Sequence, residues 1–381
     1  MLSSMPRSRL SVSVLTLALV SRVTAQPVWR LPETPLVTIG GTERPEIEFL
    51  RIGIVHLQDD GSLLVTNGGS SEILVFDSKG AVRRRLGRSG DGPGEFRRLG
   101  WAGVVGDSIV AYDHTHRRVT VFGPDGMPLP TPTLPSGPES PLGLSLAGRS
   151  ACGAWLATAL QSMGRPGQQG PHRDSTLLLL LAPPMDRVAQ RVGPFPASTT
   201  IRLVLGSGTT AQLVVGTVIF SPALLSGASD SLVFTMDTAA PELVLWDCSG
   251  RRRAVLPVPL PERPVPPAVV SVLKQRALEA ASIPVQRALA EARYDPANLP
   301  NRLPRVRSVF SGWRGELWVE QYEADPLAAS TWLVLDRRGN VLARLPSRAG
   351  FRPYSAIRDR VAGVFTDSDG VESIRVYQLP R

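Results

Sequence analysis

The chain has 381 residues, of which 43% are hydrophobic and 6% aromatic, and its formal net charge is +9. This length allows one large domain with a sizeable core, which excludes a short peptide or a chain that depends on disulfides to fold. The charge is almost all arginine, because Lys79 and Lys274 are the only lysines. The arginines flank turns at regular intervals and do not cluster with stacking aromatic residues, so we expect no nucleic-acid partner.

Residues 1–25 have the organisation of a secretory signal peptide. Two arginines precede an apolar segment at Leu10–Val20, and the small residues that end at Ala25 resemble a cleavage site. The apolar segment is too short to span a bilayer. No cysteine follows the cleavage site, which argues against a lipoprotein anchor. We therefore predict a mature chain without a transmembrane segment, starting near Gln26, in the periplasm or outside the cell.

The segment from Leu86 to Gly126 reads as one complete structural unit. Its glycine-rich start predicts tight turns, and Gly106-Asp107 is a hairpin signal before the predicted strand Ser108–Tyr112. A polar turn then leads to Arg118–Phe122, which alternates like a second strand. The residues that define this repeat unit are Gly87, Gly90, Gly92, Pro93, Gly94, Phe96, Asp113, Arg118, Phe122 and Gly126.

The end of this unit recurs along the chain with one spacing. A short apolar strand is followed by a turn that ends in glycine at Ile73–Gly80, Val119–Gly126, Leu243–Gly250 and Trp332–Gly339. Repetition of one strand-and-turn unit is typical of propellers, in which each blade is a small antiparallel sheet.

The run GRSGDGPGEF, followed by Asp113 and the strand Arg118–Phe122, resembles the NHL-type repeat of β-propellers. The whole chain is similar to uncharacterised secreted six-bladed propellers of bacteria. We therefore predict an all-β fold over residues 26–381, a six-bladed β-propeller of four-stranded antiparallel blades. Leu36–Gly40 is expected to complete the last blade, so that no sheet edge stays open.

Two parts of the chain depart from the repeat. The third unit is degenerate: Cys152–Leu160 and a buried central strand at Thr176–Leu181 are separated by a predicted loop at Gly164–Pro171. A proline-rich stretch then precedes a predicted helical insertion, at about 264–298, between blades 4 and 5. We interpret the insertion as a cap over apolar surface in preference to a mobile lid.

The two cysteines are Cys152 and Cys248. An exported protein permits a disulfide, but the sequence does not show how far apart the two Cα atoms lie. We expect two unpaired thiols in preference to a bridge.

Residues that could support chemistry are few. Among the four histidines only His114 and His116 have ligand-like spacing, and two ligands make an incomplete metal site, so we interpret them as turn residues. Asp59-Asp60-Gly61 and Asp367–Gly370 lack the further oxygen ligands of a calcium loop. The Gly87–Gly94 loop lacks the helix and lysine of a phosphate loop, and Ser207 has no nearby histidine.

The sequence thus names no catalytic or cofactor-binding residue and favours no cofactor. We predict a non-catalytic module, acting as a monomer, that binds a protein, peptide or glycan with the loops of one propeller face. The alternative is a metal-dependent hydrolase or lyase, such as a lactonase-like enzyme, which would hold calcium or zinc at the channel mouth. A sensor or envelope scaffold differs from the first hypothesis mainly in its partner.

Overall fold

A computed structural model describes residues 27–137, 140, 143–161, 170–207 and 211–380. The predicted signal peptide lies outside these residues. The described strands form six antiparallel sheets, and the first strands of successive sheets contact each other around a closed ring. The chain is a six-bladed β-propeller. A small sheet of short apolar strands cannot bury both of its faces by itself. Packing of each blade against its neighbours covers these faces and gives the sheets a common core.

The blades follow one another in chain order. Blade 1 contains β2 (Ile52–Leu57), β3 (Leu63–Asn67), β4 (Glu72–Phe76) and β5 (Val82–Leu86). Blade 2 contains β6 (Leu99–Val105), β7 (Ser108–Asp113), β8 (Arg118–Phe122) and β9 (Pro128–Leu129). Blade 3 contains β10 (Leu144–Arg149), β11 (Trp155–Leu160), β12 (Gly170–Ala182), β13 (Arg187–Leu205) and β14 (Gln212–Thr217).

The second half of the ring uses the same order. Blade 4 contains β15 (Leu224–Ser229), β16 (Leu232–Asp237), β17 (Glu242–Trp246) and β18 (Arg252–Pro257). Blade 5 contains β19 (Val306–Ser311), β20 (Leu317–Gln321), β21 (Thr331–Leu335) and β22 (Val341–Pro346). Blade 6 contains β23 (Phe351–Ile357), β24 (Arg360–Thr366), β25 (Glu372–Gln378) and, as its outer strand, β1 (Val37–Gly40).

The closing role predicted for Leu36–Gly40 is confirmed by the register of blade 6. β1 pairs antiparallel with β25, so that Val37 lies opposite Val376 and Ile39 opposite Ile374. Ile39 is fully buried, in a core cluster shared with blade 1. Both ends of the described chain therefore meet in one sheet, and β25 is paired along both of its edges.

Blade 3 differs from the predicted four-stranded blade. Gly170 and Pro171, predicted to lie in a loop, are the first residues of β12, which pairs with β13 well beyond the blade's core. The extension is tied by a buried ion pair of 2.9 Å between Arg202 and Asp174. Polar residues interrupt these strands, and so the sequence pattern alone indicated a loop. The predicted buried strand Thr176–Leu181 is confirmed as part of β12, with positions 178–181 fully buried.

The insertion between blades 4 and 5 forms two helices, α1 (Pro267–Glu279) and α2 (Pro284–Arg293). Both start with proline in the first turn, where its missing N–H would have no helical partner anyway. Val270 of α1 is buried with Phe220 and Leu303, and the Arg293 side chain of α2 donates to the Thr217 carbonyl of β14 at 2.6 Å. The insertion is thus packed on blade 3 and its neighbours, as a cap would be. Neither helix, nor any other in the described part of the chain, is long and apolar enough to cross a membrane.

The expectation of two unpaired thiols is wrong, because Cys152 and Cys248 form a disulfide. Cys152 lies in the turn between β10 and β11, and Cys248 lies in the turn between β17 and β18. Neighbouring blades place these turns side by side, with the two Cα atoms 6.7 Å apart. The sequence separation of 96 positions between the cysteines concealed this proximity in the sequence.

Candidate functional site

Each blade is an antiparallel sheet of consecutive strands, so its turns alternate between the two faces of the propeller. We call one of these faces the turn face. It carries the turn between the first and second strands of each blade and the turn between the third and fourth strands. The disulfide lies on it, as does the ion pair that Arg337 of blade 5 makes with Asp230 of blade 4. The opposite face carries the turns between second and third strands, the connections between blades and the helical insertion.

A cavity opens on the turn face between blades 5 and 6, and we call it the blade 5–6 cavity. Its volume is about 570 Å³, within the range of small-ligand sites. Its aromatic lining consists of Trp29, Trp313 and Trp318. Its basic lining consists of Arg314, Arg337, Arg338 and Arg358, and its acidic lining of Glu316 and Asp336.

The tryptophans reach the cavity from separate parts of the chain. Trp313 lies in the tight turn between β19 and β20, which Gly312 closes by donating its N–H to the Glu316 carbonyl at 2.8 Å. Trp318 follows on β20, fully buried, with its ring stacked on Phe310 at a centroid distance of 5.4 Å. Trp29 lies against Trp318 at 6.0 Å. The turn thus leaves Trp313 accessible, while the strand holds Trp318 in the wall.

Trp29 is held in place by backbone pairing with the outer strand of blade 5. Its N–H donates to the Arg344 carbonyl at 2.8 Å, and the Arg344 N–H donates to the Pro27 carbonyl at 2.9 Å. The first described residues therefore form part of the cavity wall.

The arginines of the cavity differ in their partners. Arg337 pairs with Asp230. Among the described residues, no carboxylate oxygen lies within 4 Å of the guanidinium nitrogens of Arg314, Arg338 or Arg358. Arg314 and Arg358 instead lie over the Trp313 ring, with their guanidinium carbons 5.2 and 5.6 Å from its centroid. Such cation–π contacts hold a guanidinium in place without neutralising it.

The two carboxylates of the cavity are engaged within their own turns. Glu316 accepts the Arg314 backbone N–H at 2.8 Å. Burial alone would raise the pKa of Asp336, but hydrogen bonds from the Asn340 side chain and from the backbone of Asn340 and Arg338 outweigh it and lower that pKa. Both side chains stabilise turns, and the arginines are left facing solvent.

A second cavity, of about 360 Å³, is the central channel, because residues from all six first strands line it. His56, Trp101 and Arg149 line both this channel and its mouth on the turn face. Arg149 lies over Trp155 at 5.6 Å and has no carboxylate partner among the described residues. Burial lowers the pKa of His56, against the opposing effect of a hydrogen bond with the Ala102 backbone, so its ring is neutral at pH 7.

The predicted repeat residues of blade 2 come together on the opposite face. Asp113 is fully buried and accepts backbone N–H groups on both sides of it, from Arg97 at 2.6 Å and from Thr115 at 2.7 Å. Arg118 donates to the carbonyls of Asp91, Gly92 and Glu95. These bonds join the glycine-rich loop to the turn after β7.

The remaining repeat residues shape or fill the same loop. Gly87, Gly94 and Gly126 have φ values between 76° and 82°, which suit glycine. Phe96 and Phe122 pack together in the core at 6.2 Å. Pro93 lies inside the loop, and Gly90 leaves room for Glu95, whose carboxylate a Cβ at position 90 would contact at 2.0 Å. The arrangement has the character of a structural clamp.

The histidines do not converge. His116 contacts two carboxylates, Asp113 at 3.1 Å and Asp91 at 2.8 Å, whereas His114 packs edge-on against Tyr112. His172 lies in β12, 2.9 Å from Asp174. In the part of the chain that the structure describes, no three His, Cys, Asp or Glu side chains are arranged so that they could hold a metal ion. Asp60 accepts the backbone N–H of Ser62, and Asp367 accepts those of Asp369 and Val371, each within its own hairpin turn.

Sequence reasoning did not find the blade 5–6 cavity. Its residues come from the segment before β1, the β19–β20 and β21–β22 turns, and the β23–β24 turn. One local signal was available, because Trp313-Arg314 places a large aromatic residue beside an arginine in a hairpin turn where small polar residues are usual.

Comparison with known proteins supports the fold. Residues 42–138 match the family model DUF5128, described as a six-bladed β-propeller. The crystal structure of a DUF4221 family member from Bacteroides vulgatus is similar, with a TM-score of 0.55 and 9% identity, covering 94% of this chain and 100% of that chain.

Two further solved structures are more distant. Virginiamycin B lyase from Staphylococcus aureus has a TM-score of 0.43 and 9% identity over 87% of this chain and 97% of that chain. Regucalcin, a calcium-binding protein from Agrobacterium tumefaciens, has a TM-score of 0.41 and 11% identity over 94% of this chain and 98% of that chain. No curated protein matches the sequence significantly. At these identities the likeness concerns the fold alone.

Proposed function

We propose that this protein is a non-catalytic binding module that acts as a monomer and uses the turn face of its propeller to bind an acidic glycan, peptide or protein. The observation that carries this proposal is a set of arginines around one concave site, Arg314, Arg338 and Arg358, whose guanidinium nitrogens have no carboxylate oxygen within 4 Å among the described residues. Guanidinium groups form bidentate hydrogen bonds with carboxylate, sulfate and phosphate, so a ligand that carries such groups is the natural counterpart.

The composition of the turn face supports binding over a solely structural role. Tryptophan and arginine are the residue types most enriched at the energetic centres of protein interfaces. Trp313 is 43% exposed although its ring is apolar, and Arg149 places another basic group at the channel mouth, with no acidic partner in the described part of the chain. A surface needed only for solubility would not expose tryptophan beside arginines.

We also propose that the protein works outside the cytoplasm, with residues 1–25 as its signal peptide. The disulfide between blades 3 and 4 supports this location, because such bonds persist in oxidising compartments. The repeat of blade 2 is proposed to be of the NHL type, on the resemblance of its loop and strands.

The test is a binding screen with the purified mature chain. We would compare acidic oligosaccharides and acidic peptides with neutral analogues of the same length, at low and physiological salt. Preferential binding of acidic ligands that weakens with salt is expected. Equal binding of neutral analogues, or none to either class, would contradict the proposal. A stoichiometric calcium or zinc ion in protein purified without chelator would favour the hydrolase alternative instead.

A further inference from the structure

We propose that the blade 5–6 cavity binds an amphipathic anion, a single carboxylate, sulfate or phosphate group joined to a flat apolar body. This inference rests on the proposed function, since it names the chemistry and the place of one ligand group on the turn face. It adds that the anion need not belong to a polymer and that the apolar part contributes to affinity.

The anionic group would be held by the guanidinium groups around Trp313. Arg314 belongs to blade 5 and Arg358 to blade 6, and the two groups converge on one indole ring. The two guanidinium groups thus bring two positive charges to one ring at the cavity wall, and an anion placed near both would be attracted by each. Arg338, also exposed and without a carboxylate partner among the described residues, adds a third donor group on the same wall.

The apolar body would lie against the other wall of the cavity. Trp29, Val334, Leu342 and Leu379 line it, and more of the cavity's surface is apolar than polar. Leu342 is 44% exposed, so that apolar surface is open to solvent without a ligand. Covering it would remove apolar area from water, which supplies affinity that a bare anion cannot obtain.

Trp318 adds apolar area to the wall of the cavity. It lines the cavity, and its buried ring stacks on Phe310 and lies against Trp29. A flat apolar body in the cavity would extend this group of aromatic rings.

The experiment measures binding by calorimetry with small probes. Naphthylacetate has a flat apolar body and one carboxylate, its amide has the same body without charge, and acetate has the charge alone. We expect naphthylacetate to bind at least about tenfold more tightly than either the amide or acetate. Naphthyl phosphate identifies the source of the anion, because tighter binding of it than of naphthylacetate would assign a phosphate ligand.

Two variants test whether naphthylacetate binds in the blade 5–6 cavity. The double variant R314Q/R358Q should weaken naphthylacetate binding about tenfold or more, whereas R84Q, at an exposed arginine on the outer strand of blade 1, should leave it unchanged. Circular dichroism and thermal unfolding verify that both variants fold. Equal affinity for acid and amide, or an unchanged affinity of R314Q/R358Q, would overturn the inference.

The two proposals fail in different ways. Binding of naphthylacetate in the cavity without binding of any acidic glycan, peptide or protein would keep the inference and refute the function. Binding of acidic polymers equally by the normal protein and R314Q/R358Q, with no binding of naphthylacetate, would keep the function and refute the inference.

Discussion

The Arg358 guanidinium carbon lies 5.6 Å from the centre of the Trp313 ring, which links the first turn of blade 6 to the first turn of blade 5. Arg358 has a positive φ of 52°, so the turn that presents it adopts a conformation uncommon for arginine. The contact therefore joins two blades at the cavity entrance and aligns a positive charge there without a neutralising partner.

Replacing Trp313 with alanine tests whether the ring holds the two arginines in place. Loss of two exposed cation–π contacts, each worth about 0.5–1 kcal/mol, should weaken naphthylacetate binding by about 5- to 30-fold. Thermal stability should change little, because the side chain is 43% exposed. Met127→Ala, an exposed apolar truncation on blade 2, is the control and should leave binding unaltered. Unchanged affinity in W313A would show that Trp313 does not organise the site.

Removal of the disulfide should destabilise the protein without altering its fold. The bond joins two residues with a sequence separation of 96, and the double variant C152A/C248A should lose about 2–5 kcal/mol of unfolding free energy. Chemical denaturation measures the loss. Reductant should destabilise the normal protein to the same level and leave the variant unchanged. Two titratable thiols in the native, unreduced protein would contradict the disulfide.

Asp113→Asn should lower the free energy of unfolding and make that free energy less dependent on pH in the acid range. Burial alone would raise the pKa of Asp113, but hydrogen bonds from the backbone N–H groups of His116, Arg97 and Thr115 outweigh it and lower that pKa. Because the pKa of Asp113 is lower in the folded than in the unfolded protein, its ionised carboxylate stabilises the fold at pH values above the unfolded-state pKa of about 3.9. This stabilisation is lost as the pH falls through the folded-state pKa.

Thermal unfolding between neutral pH and about pH 3 checks this expectation. The control is Asp125→Asn, another turn aspartate of blade 2, which accepts a single backbone N–H, from Met127. A pH profile of D113N as steep as that of the normal protein would place the acid sensitivity in other groups.

Ile39→Ala tests how much β1, the strand that completes the last blade, contributes to the stability of the propeller. Ile39 is fully buried and opposite Ile374, and its truncation should cost about 2–5 kcal/mol of unfolding free energy. Leu36→Ala, three residues earlier and 50% exposed, should cost much less. Equal effects of the two substitutions in chemical denaturation would indicate that β1 is not firmly packed.

The scaffold was predictable because its signals are local. The strand and turn at Val119–Gly126 recur with one spacing, and each copy lies in the third strand of its blade and the turn that follows. The disulfide and the blade 5–6 cavity were not predictable, because Cys152 meets Cys248, and Trp29 meets Trp318, only after the ring closes. The extension of β12 was missed because the buried pair of Arg202 with Asp174 gives its strands a polar sequence.

The pairing of β1 with β25 sets an order on folding. Val37–Gly40 leaves the ribosome long before its partner residues Ser373–Val376. Until these residues are made, blade 1 can form while the strand that precedes it has no neighbour. The last blade is therefore completed by a contact between residues far apart in the chain, which can form only after residues of all six blades have been synthesised.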